Sequence, residues 1–105
     1  MGCAPGYTAY SSSKGRVIAL TRVMAGDCAR ENIRVNALVP GPMDTPLIAE
    51  LVADGQTRAS VVSSAPLGRL VTAEDVDGLA VFLVSDESCY CTGGIYMVDG
   101  ALTAV

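Results

Sequence analysis

The segment Ile33-Arg34-Val35-Asn36-Ala37-Leu38-Val39 constrains this chain more than any other. It is β-branched at its front, mostly apolar, and closed by Pro40-Gly41-Pro42. That pattern predicts a buried strand over 33–39 that ends in a sharp loop. Strands with so few polar breaks are typical of parallel sheets, where both faces are covered. A second short run, Ile95-Tyr96-Met97-Val98, lies between Thr92-Gly93-Gly94 and Asp99-Gly100 and predicts another strand.

Helical patterns surround these two runs. No proline falls between Tyr7 and Arg30, and Val17, Leu20, Val23, Met24 and Cys28 recur at helical spacing. Ser11, Ser12 and Ser13 suit a helix start and Asn32 a stop. Pro46 is expected to open a short helix over 47–53, with Gly55 behind it and a looser stretch running to Pro66-Leu67-Gly68-Arg69. Thr72-Ala73-Glu74-Asp75 reads as another helix start, a threonine cap followed by acids that suit the positive helix end. This helix continues through Val76, Leu79, Ala80, Phe82 and Leu83 and fades near Ser85-Asp86. Helix, strand, excursion, helix, strand is an α/β order, one crossover unit.

A two-stranded parallel sheet is not expected to stand alone in water. Half of the 105 residues are hydrophobic, rich for a chain whose core can only be modest. A sheet edge and an apolar helix face should therefore stay open unless another chain covers them.

Composition narrows the function classes. Charged residues are 17%, too few for a disordered tail. A net charge of −4 argues against nucleic acid or an anionic membrane as the main partner. No apolar run approaches the roughly 18 residues of a membrane span. Residues 1–10 have neither the basic nor the apolar segment of a signal peptide, so a cytoplasmic protein is expected. Gly2 follows Met1, but Gly6 stands where a myristoylation signal needs serine or threonine. There are four cysteines, Cys3, Cys28, Cys89 and Cys91, and no histidine. Cys89 and Cys91 are closer in sequence than zinc ligands usually lie, so no metal is expected and the cysteines read as reduced, small apolar residues.

Tyr10 and Lys14 are four apart, which on a helix puts them on one face, one turn from each other. A phenol normally titrates near 10, too high to exchange protons freely at neutral pH. A neighbouring ammonium and a nearby helix start both favour phenolate and lower that value. Such a tyrosine can give a proton to a carbonyl oxygen, or take one from an alcohol, while hydride moves at the carbon. The pair alone means no more than a solvated helix face. Lys14 is, however, the only lysine, the other positive charges being arginines. Ser11, Ser12 and Ser13 are not candidate nucleophiles, because no histidine is present to activate one.

The longer series decides between these readings. Tyr10-Ser11-Ser12-Ser13-Lys14 is followed by Ile33-Arg34-Val35-Asn36, by Pro40-Gly41-Pro42 with Thr45-Pro46, and by Pro66-Leu67-Gly68-Arg69. Glu74-Asp75-Val76, Phe82-Leu83-Val84-Ser85-Asp86, Thr92-Gly93-Gly94 and Val98-Asp99-Gly100 come after. In order, spacing and residue type this closely resembles the C-terminal half of the short-chain dehydrogenase/reductase family, over nearly all of the chain. The resemblance implies an α/β fold, the C-terminal part of a Rossmann-like doubly wound parallel sheet. It would hold two strands, two main helices and a short substrate-loop helix, and would be incomplete on its own. Residues 1–105 would then be the C-terminal portion of one such domain, without its dinucleotide-binding half.

The resemblance also implies an NAD(P)-dependent oxidoreductase that moves hydride between a nicotinamide cofactor, NAD or NADP, and a small-molecule alcohol or ketone. Tyr10 would be the general acid/base. Lys14 would lower its pKa and hydrogen-bond the nicotinamide ribose. Pro40 and Gly41 resemble the turn that brings backbone close to the nicotinamide ring, and Met43 sits where a backbone amide holds the carboxamide. Thr45 sits where a hydroxyl meets the carboxamide or a phosphate, although capping the helix begun by Pro46 explains it equally well. The 47–65 excursion resembles the segment that covers the substrate. In the family the tyrosine helix packs against a second subunit, and the Phe82 helix and last strand form another contact. A homo-oligomer, or pairing with the missing half or a relative, is expected. Asn36, Thr92, Gly93 and Asp99 read as structural residues of turns and strand ends.

Parts of the family pattern are not among these residues. The glycines are scattered and none follows a strand in the way a dinucleotide-binding turn requires. The family's catalytic serine lies further before the tyrosine than the nine residues available here, and its catalytic asparagine lies further still. Ala101 stands where a second glycine is usual, and Ser12 where alanine is commonest. Remote cofactor contacts hold the reacting ring in place, so very weak or no activity is expected of this chain alone. Two readings stay open: a truncated oxidoreductase, or a non-catalytic interaction module derived from one.

Overall fold

The computed structural model describes residues 8–51 and 53–104; for 8–12, 47, 48 and 51 it describes the backbone alone. The elements are α1 (Thr8–Cys28), β1 (Ala37–Pro40), α2 (Pro46–Leu51), α3 (Gly55–Ser64), α4 (Ala73–Val84) and β2 (Ile95–Val98), with short 3-10 turns at Ala29–Glu31, Asp86–Ser88 and Leu102–Ala104. Among the described residues the sheet has two strands, β1 beside β2. The chain forms two compact units. One holds the described residues up to Leu38 with Phe82–Tyr96; the other holds Val39–Val81 with the residues from Met97 on.

In the first unit, the 3-10 turn after α1 ends at Asn32, whose left-handed backbone (φ 59°) closes it. The strand expected from Ile33 begins only at Ala37, whose N–H donates to Gly94 O at 3.0 Å. Residues 33–36 are tied to loops instead. Val35 N–H donates to the Thr92 hydroxyl at 3.1 Å, and Val35 O accepts from Gly93 N–H at 2.7 Å. The Asn36 amide donates to Cys91 O at 2.9 Å and accepts from Gly94 N–H at 3.0 Å. The register that bonds Ala37 N–H to Gly94 O is therefore fixed by side chains as well as by the ladder. In the same stretch, Arg34 reaches the end of α4 and bonds Leu83 O (2.8 Å), Ser85 O (3.2 Å) and the Ser88 hydroxyl (2.9 Å).

The first unit's core is thin. α1 buries Thr21 and Ala25, and Ala25 faces Gly93 closely enough that a Cβ there would sit 3.4 Å from it. The rest of the apolar stripe is uncovered: Val17, Leu20, Val23 and Met24 are 41–61% exposed. This is the open helix face expected from the sequence. Among the described residues the largest fully buried side chain is Ser88.

The second unit is built on Val39, Ala65, Leu70 and Val71, all buried. Here Gly41 N–H continues the ladder by donating to Val98 O at 2.9 Å. α2 starts at Pro46 as expected. The stretch expected to be looser contains a helix of its own, α3. Asp54 caps it, its carboxylate accepting from the amides of Gln56 (3.1 Å) and Thr57 (3.3 Å) and from the Thr57 hydroxyl (2.7 Å). These bonds hold the Asp54 carboxyl below its usual range, the Thr57 hydroxyl contributing most. Gly55, expected behind a helix, is instead the first residue of one.

α4 begins where Thr72 predicts it. The Thr72 amide and hydroxyl both donate to Asp75 Oδ2, at 2.8 and 3.0 Å, and Asp75 also takes a two-pronged bond from Arg69 at 2.6 and 2.8 Å. Arg69, then the Thr72 amide and hydroxyl, hold the Asp75 carboxyl far below its ordinary value of 3.8. The unfolded chain restores that value, so the ionised carboxylate favours the folded state above pH about 4, and the contribution fades as pH falls through the lower folded value. Urea midpoints of wild type and Asp75→Asn are therefore expected to differ above pH about 4 and to converge in stronger acid.

Ala101, which stands where a second glycine is expected, sits in costly backbone. Gly100 (φ 59°) and Ala101 (φ 73°) both adopt left-handed backbone, and only the first is glycine. A Cβ in that region costs roughly 1–2 kcal/mol, partly offset by alanine's smaller unfolded entropy. Ala101→Gly is expected to stabilise the protein by about 1 kcal/mol, read as a higher urea midpoint at unchanged slope.

Candidate active site

α1 is continuous through positions 10 and 14, so the backbone sets both on one helix face, one turn apart. The Lys14 side chain is half-buried. The Tyr10 side chain lies outside the described residues, as do Met1 to Tyr7, including Gly2 and Cys3. Cys28, Cys89 and Cys91 are free thiols. Among the described residues no helix is long and apolar enough to cross a membrane.

In the second unit, Gly41, Met43 and Thr45 lie in the loop between β1 and α2, directly after Pro40, the last residue of β1. Loops at the carboxyl ends of parallel strands are where open α/β sheets hold ligands. The loop is pinned from both sides. Gly41 N–H is held by Val98 O, Asp44 N–H donates to Val71 O at 2.8 Å, and Val71 N–H donates to Pro42 O at 2.9 Å. Thr45 N–H turns back onto Met43 O at 3.0 Å, and Thr45 O accepts from Ala49 N–H at 2.9 Å as the first bond of α2. Among the described residues nothing accepts a hydrogen bond from the Met43 amide. Pro40 and Pro42 have no N–H to offer. The loop thus presents one unused backbone donor amid satisfied neighbours.

Gly41 meets a constraint that the sequence did not reveal. A Cβ there would lie 3.0 Å from Asp99 Cα and 3.1 Å from Asp99 Cβ, so any larger residue would have to push these two backbones apart by a few tenths of an ångström. Asp99 is itself buried. Its carboxylate accepts from Ala101 N–H (3.1 Å), Thr103 N–H (3.2 Å) and the Thr103 hydroxyl (2.5 Å).

The half-buried Tyr96 is poorly suited to proton transfer. Loss of solvent, then its bond to the Cys91 thiol, push its hydroxyl above the ordinary value of 10, against a smaller opposing pull from Arg34. A raised phenol stays protonated at neutral pH.

Comparison with known proteins places these features. Residues 1–103 match the family model described as enoyl-(acyl carrier protein) reductase. The 3-oxoacyl-(acyl-carrier-protein) reductase FabG of Thermotoga maritima is 43% identical over 98 residues, 93% of this chain and 39% of that protein. Cis-4-hydroxycyclohexanecarboxylate dehydrogenase of Sinomonas cyclohexanicum is 45% identical over 98 residues, with the same coverage of 93% and 39%. A gluconate 5-dehydrogenase from Burkholderia cenocepacia, solved with NADP and tartrate, superposes with a TM-score of 0.89 at 35% identity, covering 99% of this chain and 41% of that one. The chain belongs to the short-chain dehydrogenase/reductases, and its strands and helices are part of their Rossmann-type fold. It spans about two fifths of the length of the curated relatives it matches.

Proposed function

We propose that this chain carries the proton-transfer and nicotinamide-side part of an NAD(P)-dependent oxidoreductase acting on a small alcohol or ketone. The observation that carries the reading is the Met43 amide, the one donor of the 41–45 loop left without a partner among the described residues. A cofactor carboxamide oxygen is an acceptor that such an amide can take. Family membership and the placement of the loop after a parallel strand support the same reading.

A bound nicotinamide would supply or take up the hydride. Met43 N–H would hold its carboxamide, with Thr45 beside it, while Pro40 and Gly41 shape the turn. Tyr10 would donate its phenolic proton to the carbonyl oxygen in reduction and take it back in oxidation. Lys14, one helical turn away, would favour the phenolate by its charge and bond the ribose.

Titrating the protein with NADH and with NADPH, followed by nicotinamide fluorescence, tests this. Weak but saturable binding is expected for one or both, because the family's dinucleotide-binding turn is not among these residues. Absence of saturation would favour the second reading, an interaction module, which the exposed Val17, Leu20, Val23 and Met24 face supports.

A further inference from the structure

We infer that Asp99, through the turn it organises at 99–103, is a positioning residue for the Pro40–Thr45 loop. The inference rests on the proposed oxidoreductase reading only for what the loop is positioned to do.

Four contacts carry it. The Gly41 backbone lies directly on Asp99, so that a Cβ would already be 3.0 Å from Asp99 Cα. Gly41 N–H is bonded to Val98 O, the residue before Asp99. Any shift of the Asp99 backbone is therefore passed to Gly41 by contact as well as by hydrogen bond. On its other side the same turn holds the 65–67 segment. Leu67 N–H donates to Gly100 O at 3.1 Å, and a Cβ at Gly100 would sit 3.2 Å from Leu67 Cβ and 3.4 Å from Ala65 Cβ.

The turn does not hold itself in this shape by backbone preference. Ala101 is left-handed, against its own tendency. What keeps it there is the Asp99 carboxylate, which gathers the Ala101 amide and both the amide and hydroxyl of Thr103. Bonds to an ionised acceptor are the strong ones. One buried carboxylate thus fixes the turn, and the turn fixes both the loop that carries the Met43 amide and the end of the 47–65 excursion.

The test uses Thr103→Val, which removes the 2.5 Å hydroxyl bond and little else, together with Asp99→Asn and the conservative Thr103→Ser. Amide hydrogen exchange is read in the ligand-free protein, and NADPH affinity by fluorescence. Losing a bond to a carboxylate is expected to speed exchange at Gly41, Asp44 and Thr45 about tenfold in Thr103→Val, with the 21–28 amides of α1 unchanged. The NADPH dissociation constant should rise about tenfold as well, and Thr103→Ser should restore both. Unchanged loop amides, or acceleration of all amides together, would overturn the inference, the second because it marks general loss of stability. Accelerated loop amides in a protein whose wild type binds neither NADPH nor NADH would uphold the positioning role and refute the oxidoreductase reading instead.

Discussion

Replacing Tyr10 by phenylalanine is expected to lower kcat about a thousandfold while leaving the NADPH dissociation constant within about threefold of wild type. The substitution removes one oxygen and keeps the ring, so α1, which runs through position 10, has no reason to change. What is lost, on the proposed reading, is the group that would exchange a proton with the substrate oxygen as hydride moves, a contribution worth roughly two to four orders of magnitude. Because only weak turnover is expected of this chain alone, kcat is read at high protein concentration with saturating nicotinamide cofactor, and fluorescence gives the affinity. Retention of more than about a tenth of the wild-type kcat would show that the proton comes from elsewhere. The companion variant Lys14→Met separates charge from contact. If the ammonium one turn away acts on the phenol as proposed, its removal should move the rise of kcat with pH in the oxidation direction to higher pH. A fall in kcat with an unshifted profile would assign Lys14 to cofactor contact alone.

Legibility from the residues alone was unequal along the chain, for physical reasons. α4 was legible because Thr72 and Asp75 announce its start through local bonds that need nothing distant. β2 was legible because Thr92-Gly93-Gly94 and Asp99-Gly100 bracket four residues of strand character. α3 was hidden. Its Ser-rich sequence has no apolar period, and Asp54-Gly55 reads as a helix stop when the aspartate is in fact the cap of the next helix. The front of β1 was over-extended for a different reason. Ile33 to Asn36 have strand composition, but the ladder begins only where a partner strand lies opposite, and Arg34, Val35 and Asn36 bond to loops. At the candidate site, spacing puts Tyr10 and Lys14 one helical turn apart, but their chemical role and that of Pro40, Gly41, Met43 and Thr45 follow only from the family resemblance. Asp99 was read as a strand-end residue, because nothing in the sequence says that Gly41 will lie against it. The signal available was the improbable Ala101, a left-handed site that has to be held by something.

The largest stability effect is expected at a residue with no part in the chemistry. Arg34 donates to Leu83 O and Ser85 O, two carbonyls at the end of α4, and to the Ser88 hydroxyl. The last carbonyls of a helix lack intrahelical partners and carry its negative dipole end, so a guanidinium there satisfies bonds and charge together. Ser88, fully buried, directs its own hydroxyl at Leu83 O and Ser85 O, 3.0 Å from each, which makes it acceptor to Arg34 and donor to the same carbonyls. Arg34→Ala removes three hydrogen bonds from a cation and opens part of this network without replacing it. Charge-assisted bonds contribute roughly 1.5–3 kcal/mol each when lost singly, but Ser88 keeps the carbonyls partly satisfied, so the cost is expected to be about 3 kcal/mol rather than the sum. Arg34→Lys keeps the charge but can present only a single ammonium to acceptors that a planar fork spans, and should cost about half as much. Urea denaturation at neutral pH measures both. A loss under about 1 kcal/mol for Arg34→Ala would show that Ser88 alone closes α4. An effect equal for Ala and Lys would assign the stabilisation to the fork geometry and not to the charge.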